Sequence, residues 1–152
     1  MKTAACLLAL VFLAAAAPLR ADMVGEQLPK VTLNYVGKTP DIKGKPMLLE
    51  FWATWCPPCR KSIPHLNEIY AKFKDRGLAV VGVTDESEMV IRKFEKEVPM
   101  DYPVATDTGG RLGEKLGVSS IPTAFLVDKD GKITWQGHPM NLPEAEIEKI
   151  LQ

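Results

Sequence analysis

The chain has 152 residues, 46% hydrophobic and 25% charged, which fits one globular domain. Nineteen basic and nineteen acidic side chains cancel. No block of like charge stands out, so composition gives no support to nucleic acid or an anionic membrane surface as partner.

Residues 1–21 are a different material. Met1-Lys2 is a short basic start, and residues 4–17 (AACLLALVFLAAAA) form an uncharged apolar run. A bilayer span needs about 20 apolar residues, so the run fits a secretory signal peptide better than an uncleaved anchor, which is the alternative. Cleavage is expected after Ala21, or else within Ala14–Ala17. Cys6 lies too early to serve as a lipid-bearing terminal cysteine. Loss of Lys2 and Arg20 leaves 17 basic against 19 acidic side chains, and two cysteines. Those two, Cys56 and Cys59, form a Cys-x-x-Cys. In an oxidising compartment outside the cytoplasm such a pair can cycle between dithiol and disulfide.

The rest, residues 22–152, reads as one domain without repeats or linkers. Residues 31–36 (VTLNYV) alternate as a strand does, and 37–46 form a loop. Residues 47–53 (MLLEFWA) read as a strand buried on both faces. Ile63, Leu66, Ile69, Tyr70 and Phe73 fall at helical spacing within 57–75. Pro57 and Pro58 open that helix, where a missing N–H costs nothing, and Gly77 closes it. Residues 78–83 are the next strand and 86–97 the next helix. A short strand over 103–106 and a short helix over 109–116, ended by Gly117, follow. Residues 123–128 and 132–136 pair as a hairpin through Lys129-Asp130-Gly131. An amphipathic helix over 143–151 ends the chain. The order predicts an α/β sandwich with a mixed sheet, parallel in its first half and antiparallel in the hairpin.

The cysteine pair falls where a buried strand meets a helix. Free N–H groups and the helix dipole favour a thiolate there, and a thiol pKa can fall from about 8.5 to between roughly 3.5 and 7.5. Cys56, just before the helix, is expected to be exposed and to attack. Cys59, one turn in, is expected to be partly covered and to resolve the mixed disulfide. A purely structural bridge closing so small a loop would restrain the unfolded chain by only about 2 kcal/mol. Half a zinc site would need more ligands, and only His65 and His138 remain, far from metal-finger spacing. Two inert thiols fit poorly with a strand-to-helix junction.

Around Trp55-Cys56-Pro57-Pro58-Cys59 the sequence resembles the thioredoxin superfamily, in particular the exported TlpA/ResA-like disulfide reductases. The resemblance covers nearly all of residues 24–152. Its marks are Gly44-Lys45, the run Phe51 to Cys59, Pro64, and Gly117-Val118-Ser119-Ser120-Ile121-Pro122-Thr123 before Phe125-Leu126-Val127-Asp128. It implies a thioredoxin-like three-layer fold with an inserted strand-helix segment over 84–104, serving either packing or partner choice. It implies a cis peptide bond at Pro122, which would face the cysteines and leave the Ile121 backbone free to pair with an extended substrate. Trp55 would wall the site, and Pro57 and Pro58 would lie in the substrate-binding surface. Glu50, six residues before Cys56, matches a buried acid of thioredoxins and would move the proton that Cys59 must lose. Many relatives carry a glutamate three residues after the second cysteine, where this chain has Ser62.

The expected activity is thiol–disulfide exchange on exported proteins. Apocytochrome c is a plausible target, a membrane donor supplies the electrons, and no cofactor is required. The alternatives are a peroxiredoxin-type peroxidase and a copper-binding chaperone using the same cysteines, His138 being a conceivable further ligand.

Overall fold

The computed structural model describes residues 22–152; the leader expected over 1–21, with Cys6, lies outside the described residues. One six-stranded sheet organises the described residues. Its strands are β1 (Asn34–Tyr35), β2 (Met47–Phe51), β3 (Ala79–Thr84), β4 (Val104–Thr106), β5 (Thr123–Val127) and β6 (Ile133–Gly137). They lie in the order β1-β4-β3-β2-β5-β6. The β2–β3 and β3–β4 pairs are parallel, and the other three are antiparallel. The helices are α1 (Pro57–Phe73), α2 (Glu88–Glu95), α3 (Arg111–Lys115) and α4 (Glu144–Ile150).

Strand alternation sends successive side chains to opposite faces of the sheet. Met47, Leu49 and Phe51 of β2 join Val81, Val83, Phe125 and Val127 under Leu112 of α3 and Leu116. Leu48 faces the other way, with Val80, Ala124 and Leu126, against Leu66, Ile69 and Phe73 of α1 and Ile147 of α4. Trp52 shares this second face with Ile63 of α1 and with Ile91 and Phe94 of α2. Helices therefore cover both faces, the three-layer arrangement anticipated from the element order. Complete burial of one Leu or Ile side chain contributes roughly 1.5–3 kcal/mol, and both faces hold several.

Two expectations need correction. The strand expected over 31–36 is reduced to Asn34–Tyr35, paired with Ala105 and Thr106 of β4. Strand β4 has only three residues, so the ladder ends there. The alternation of Val31, Leu33 and Tyr35 instead reflects packing on the core. The helix expected over 86–97 begins at Glu88, because the Glu86 carboxylate turns back to bind Thr54 and Thr84. The segment 84–104 supplies α2 and runs into β4, the helix and strand added beside β3.

Helix α1 runs past its internal Pro64 and closes through a 3-10 turn at Lys74–Arg76. Gly77 sits at φ 97°, a left-handed conformation that glycine adopts without a Cβ clash. Helix α4 docks on α1 with two exposed ion pairs, Lys72–Glu144 and Arg76–Glu148. Exposed pairs of this kind contribute about 0–1 kcal/mol each, so the apolar contacts through Ile147 dominate the docking.

Candidate active site

Strand β2 ends at Phe51, and Trp52 to Trp55 carry the chain to α1. Cys56 caps that helix in an extended conformation. Pro57 and Pro58 occupy the first two helical positions and offer no N–H. The first amide able to reach back belongs to Cys59, and it donates to Cys56 Sγ at 3.3 Å. The prolines thus remove two donors but leave one aligned with the helix dipole. Cys56 and Cys59 form a disulfide, with an S–S distance of 2.06 Å and Cα atoms 5.3 Å apart.

Cys59 is fully buried, and Cys56 is only 3% exposed. The exposure expected of Cys56 is therefore corrected for the disulfide form. Cys56 belongs to an apolar cluster with Trp52, Ala53, Cys59 and Ile63, and Ile121 packs against the same cluster. Trp55 is 71% exposed and lines a pocket that Ile121 also borders. Trp52 is core.

The Ile121–Pro122 peptide bond is cis. Pro122 and Pro58 line one pocket of about 570 Å³, together with Trp135 and His138. Ile121 also borders a second pocket of about 420 Å³, on the side of Trp55 and Val118. Among the described residues the Ile121 N–H and carbonyl have no hydrogen-bond partner. Pro57 and Pro58 are exposed at the same end of the sheet.

Glu50 is the next-to-last residue of β2, opposite Gly82 of β3 and Ala124 of β5, on the face covered by α1. It is completely buried. The Tyr102 hydroxyl donates to Glu50 Oε2 at 3.5 Å, and Oε1 has no hydrogen-bond partner among the described residues. Among the described residues no basic group pairs with the carboxylate. Burial pushes the Glu50 carboxyl up to about 8, and the Tyr102 hydrogen bond only partly offsets this. Burial, with the negative charge of Glu50 behind it, also raises the Tyr102 phenol well above its usual range. Gly82 makes room for this cluster. A Cβ there would meet Trp52 Nε1 at 3.0 Å and Tyr102 Cε2 at 3.2 Å.

Some functional candidates were not visible in the sequence. Tyr102 reads there as an isolated aromatic in a loop, and Gly82 as a strand glycine. Glu86 reads as a surface acid, yet its carboxylate accepts Thr54 N–H and Thr54 Oγ1–H, both at 2.7 Å. Strand glycine was the one available signal, since it marks a close approach. Ser62 is buried, and its hydroxyl donates to the Pro58 carbonyl at 3.1 Å. His65 is half-buried, with Nε2 unpartnered among the described residues. His138 Nδ1 accepts from Met140 N–H at 3.3 Å. Among the described residues no three His, Cys, Asp or Glu side chains gather into a metal site.

A mixed sheet between helical layers, with a Cys-x-x-Cys disulfide at a helix start and a cis-proline loop beside it, defines the thioredoxin-like class. Comparison with known proteins agrees. The model of the AhpC/TSA family matches residues 24–136, and the chain belongs to that family. The thiol-disulfide oxidoreductase ResA of Bacillus thuringiensis subsp. konkukian is 40% identical over 115 residues, covering 72% of this chain and 66% of that protein. ResA of Bacillus subtilis is 38% identical over 94 residues, covering 61% of this chain and 52% of that protein. The chain thus spans at most about two thirds of the length of these two relatives. Among solved structures, a Chlorobium tepidum chain assigned as the thiol:disulfide interchange protein DsbE superposes with a TM-score of 0.77 at 33% identity. That alignment covers 85% of this chain and 98% of the other. The thioredoxin domain of a Bacteroides vulgatus thiol-disulfide oxidoreductase gives 0.73 at 27% identity, covering 87% and 100%. The resemblance read from the two motifs is borne out at the level of family and fold.

Proposed function

We propose that this chain is a thiol–disulfide oxidoreductase that reduces disulfides in exported polypeptides. The observation that carries the reading is the Cys56–Cys59 disulfide at the start of α1, with Cys56 Sγ held by the Cys59 amide. In the reduced protein the Cys56 thiolate attacks one sulfur of a substrate disulfide. The other substrate sulfur leaves as a thiolate, and a Cys56–substrate mixed disulfide remains. Cys59 then loses its proton and attacks Cys56 Sγ. The substrate departs as a dithiol and the protein is left as the disulfide, two electrons having passed to the substrate.

Glu50 is the group proposed to take the Cys59 proton. It shares the sheet face under α1 with the helix that carries Cys59. A carboxyl raised to about 8 is a far stronger acceptor for a thiol proton than an ordinary carboxylate. Substrate binds as an extended segment across the cis-proline loop. The unpaired Ile121 backbone supports a strand-like contact, with Pro57, Pro58 and Pro122 beneath it and Trp55 as an exposed apolar flank.

Export rests on residues 1–21, and among the described residues no helix is long and apolar enough to cross a membrane. Apocytochrome c before haem attachment remains the proposed target by family resemblance, with a membrane protein as electron donor.

Insulin-disulfide reduction tests the activity. With dithiothreitol as electron source, residues 22–152 are expected to precipitate the insulin B chain well above the rate of dithiothreitol alone. The same preparation should consume hydrogen peroxide no faster than buffer. Peroxide consumption without insulin reduction would replace this reading with a peroxidase.

A further inference from the structure

The segment 84–104 does more than pack. At its start the Glu86 carboxylate accepts Thr54 N–H and Thr54 Oγ1–H at 2.7 Å each, and Thr84 Oγ1–H at 3.2 Å. The Glu86 amide in turn donates to Thr84 Oγ1 at 3.3 Å. Thr84 is the last residue of β3, and Thr54 lies two residues before Cys56. The carboxylate therefore ties the end of one central strand to the turn that delivers the attacking cysteine. Glu86 is half-buried and forms no ion pair among the described residues. Its charge is engaged by the Thr54 turn and Thr84 alone.

We propose that Glu86 is a positioning residue that fixes the Thr54–Cys56 turn and, through its negative charge, makes the Cys56–Cys59 couple more reducing. The proposal rests on the exchange reading of that pair. The helix start favours a thiolate at Cys56, and a fixed anion nearby opposes it. The carboxylate lies 2.7 Å from Thr54 N, and two residues of chain span at most about 7 Å, so the anion is within about 10 Å of the Cys56 backbone, the Debye length at about 0.1 M salt. Opposing the thiolate destabilises the dithiol form relative to the disulfide. The dithiol then hands its electrons on more readily.

The test is the equilibrium of protein disulfide plus two glutathione thiols with protein dithiol plus glutathione disulfide, at pH 7, in wild type, Glu86→Gln and Thr54→Val. Glutamine keeps the clamp, because its carbonyl oxygen can accept Thr54 N–H and its amide can donate to Thr54 Oγ1, but it removes the charge. Glu86→Gln is expected to shift the equilibrium toward protein dithiol by about threefold or more, the size expected of a nearby charge on a thiol. Thr54→Val loses one arm of the clamp and keeps the charge; its equilibrium should stay within about twofold of wild type. Thermal unfolding establishes that each variant is folded. A folded Glu86→Gln with the wild-type equilibrium, or a shift toward disulfide, overturns the proposal while leaving the exchange reading intact. An equal shift in Thr54→Val makes the role purely structural and overturns the charge assignment. A wild-type protein that does not exchange with glutathione removes the exchange reading and this one with it.

Discussion

Cys56→Ser is expected to lose insulin reduction down to the dithiothreitol background, whereas Cys59→Ser is expected to accumulate covalent adducts with substrate. The asymmetry follows from position. Cys56 caps α1 and receives the Cys59 amide on its sulfur, while Cys59 is the third helical residue and fully buried. A thiolate gains most at the cap, where the helix offers its unpaired N–H groups and its positive end. Without Cys56 there is no nucleophile to open the substrate disulfide. Without Cys59 the first exchange proceeds and the second cannot, so the mixed disulfide persists. Non-reducing electrophoresis of the Cys59→Ser protein after incubation with a disulfide-bonded polypeptide reads this out. Full activity in Cys56→Ser, or adducts formed only through Cys59, would reverse the assignment.

Glu50→Gln is expected to stabilise the fold at neutral pH and to slow resolution of the mixed disulfide. The fold raises this carboxyl to about 8 from an ordinary value near 4.3, so the native state favours the protonated form. Below about pH 4 both states are protonated and the wild type carries no penalty. As the pH rises past the unfolded value, the unfolded chain ionises while the folded one does not, and stability falls by about 1.4 kcal/mol per pH unit. The loss reaches about 3–4 kcal/mol at pH 7 and levels off once the pH passes the folded value near 8. Glutamine cannot ionise, and its amide oxygen still accepts from Tyr102. Denaturant titrations at pH 4 and pH 7 should therefore show wild type losing stability over that interval and Glu50→Gln holding steady, apart from the contributions of other groups. The kinetic counterpart is the rate at which a Cys56 mixed disulfide resolves, followed between pH 6 and 9. An unchanged pH–rate profile in Glu50→Gln would remove Glu50 from the proton transfer, whatever its effect on stability.

The sequence made the element order legible because each element carries a strong local pattern. Strand β2 is an unbroken apolar run but for Glu50, α1 has a clear apolar stripe, and Gly77 and Gly117 both take the left-handed conformation that ends a helix. The cysteine pair was legible as a short motif set at an element junction, and the cis-proline only through the family resemblance. Contacts between distant residues were not. The Tyr102–Glu50 bond joins residues 52 apart and the Glu86–Thr54 clamp joins residues 32 apart. Neither has a spacing rule behind it, since both depend on how the segment 84–104 crosses the end of the sheet. That segment was expected to serve packing or partner choice; it also brings both polar partners to the site. The burial of Cys56 was missed because helix-cap position predicts a reachable atom only when nothing packs over it. Here Cys56 belongs to an apolar cluster that Ile121 also packs against, and no pattern in residues 117–123 announces that packing.

The reduction potential of the Cys56–Cys59 couple tests the central claim most directly. Reduced protein is mixed with glutathione buffers of defined ratio, and the dithiol fraction is counted by thiol alkylation and mass spectrometry. A reductant of exported disulfides should sit at about −270 mV or lower, where thioredoxin lies. A value of about −120 mV would make the pair an oxidant and contradict the direction of electron flow, and cysteines that never equilibrate with glutathione would contradict the exchange itself.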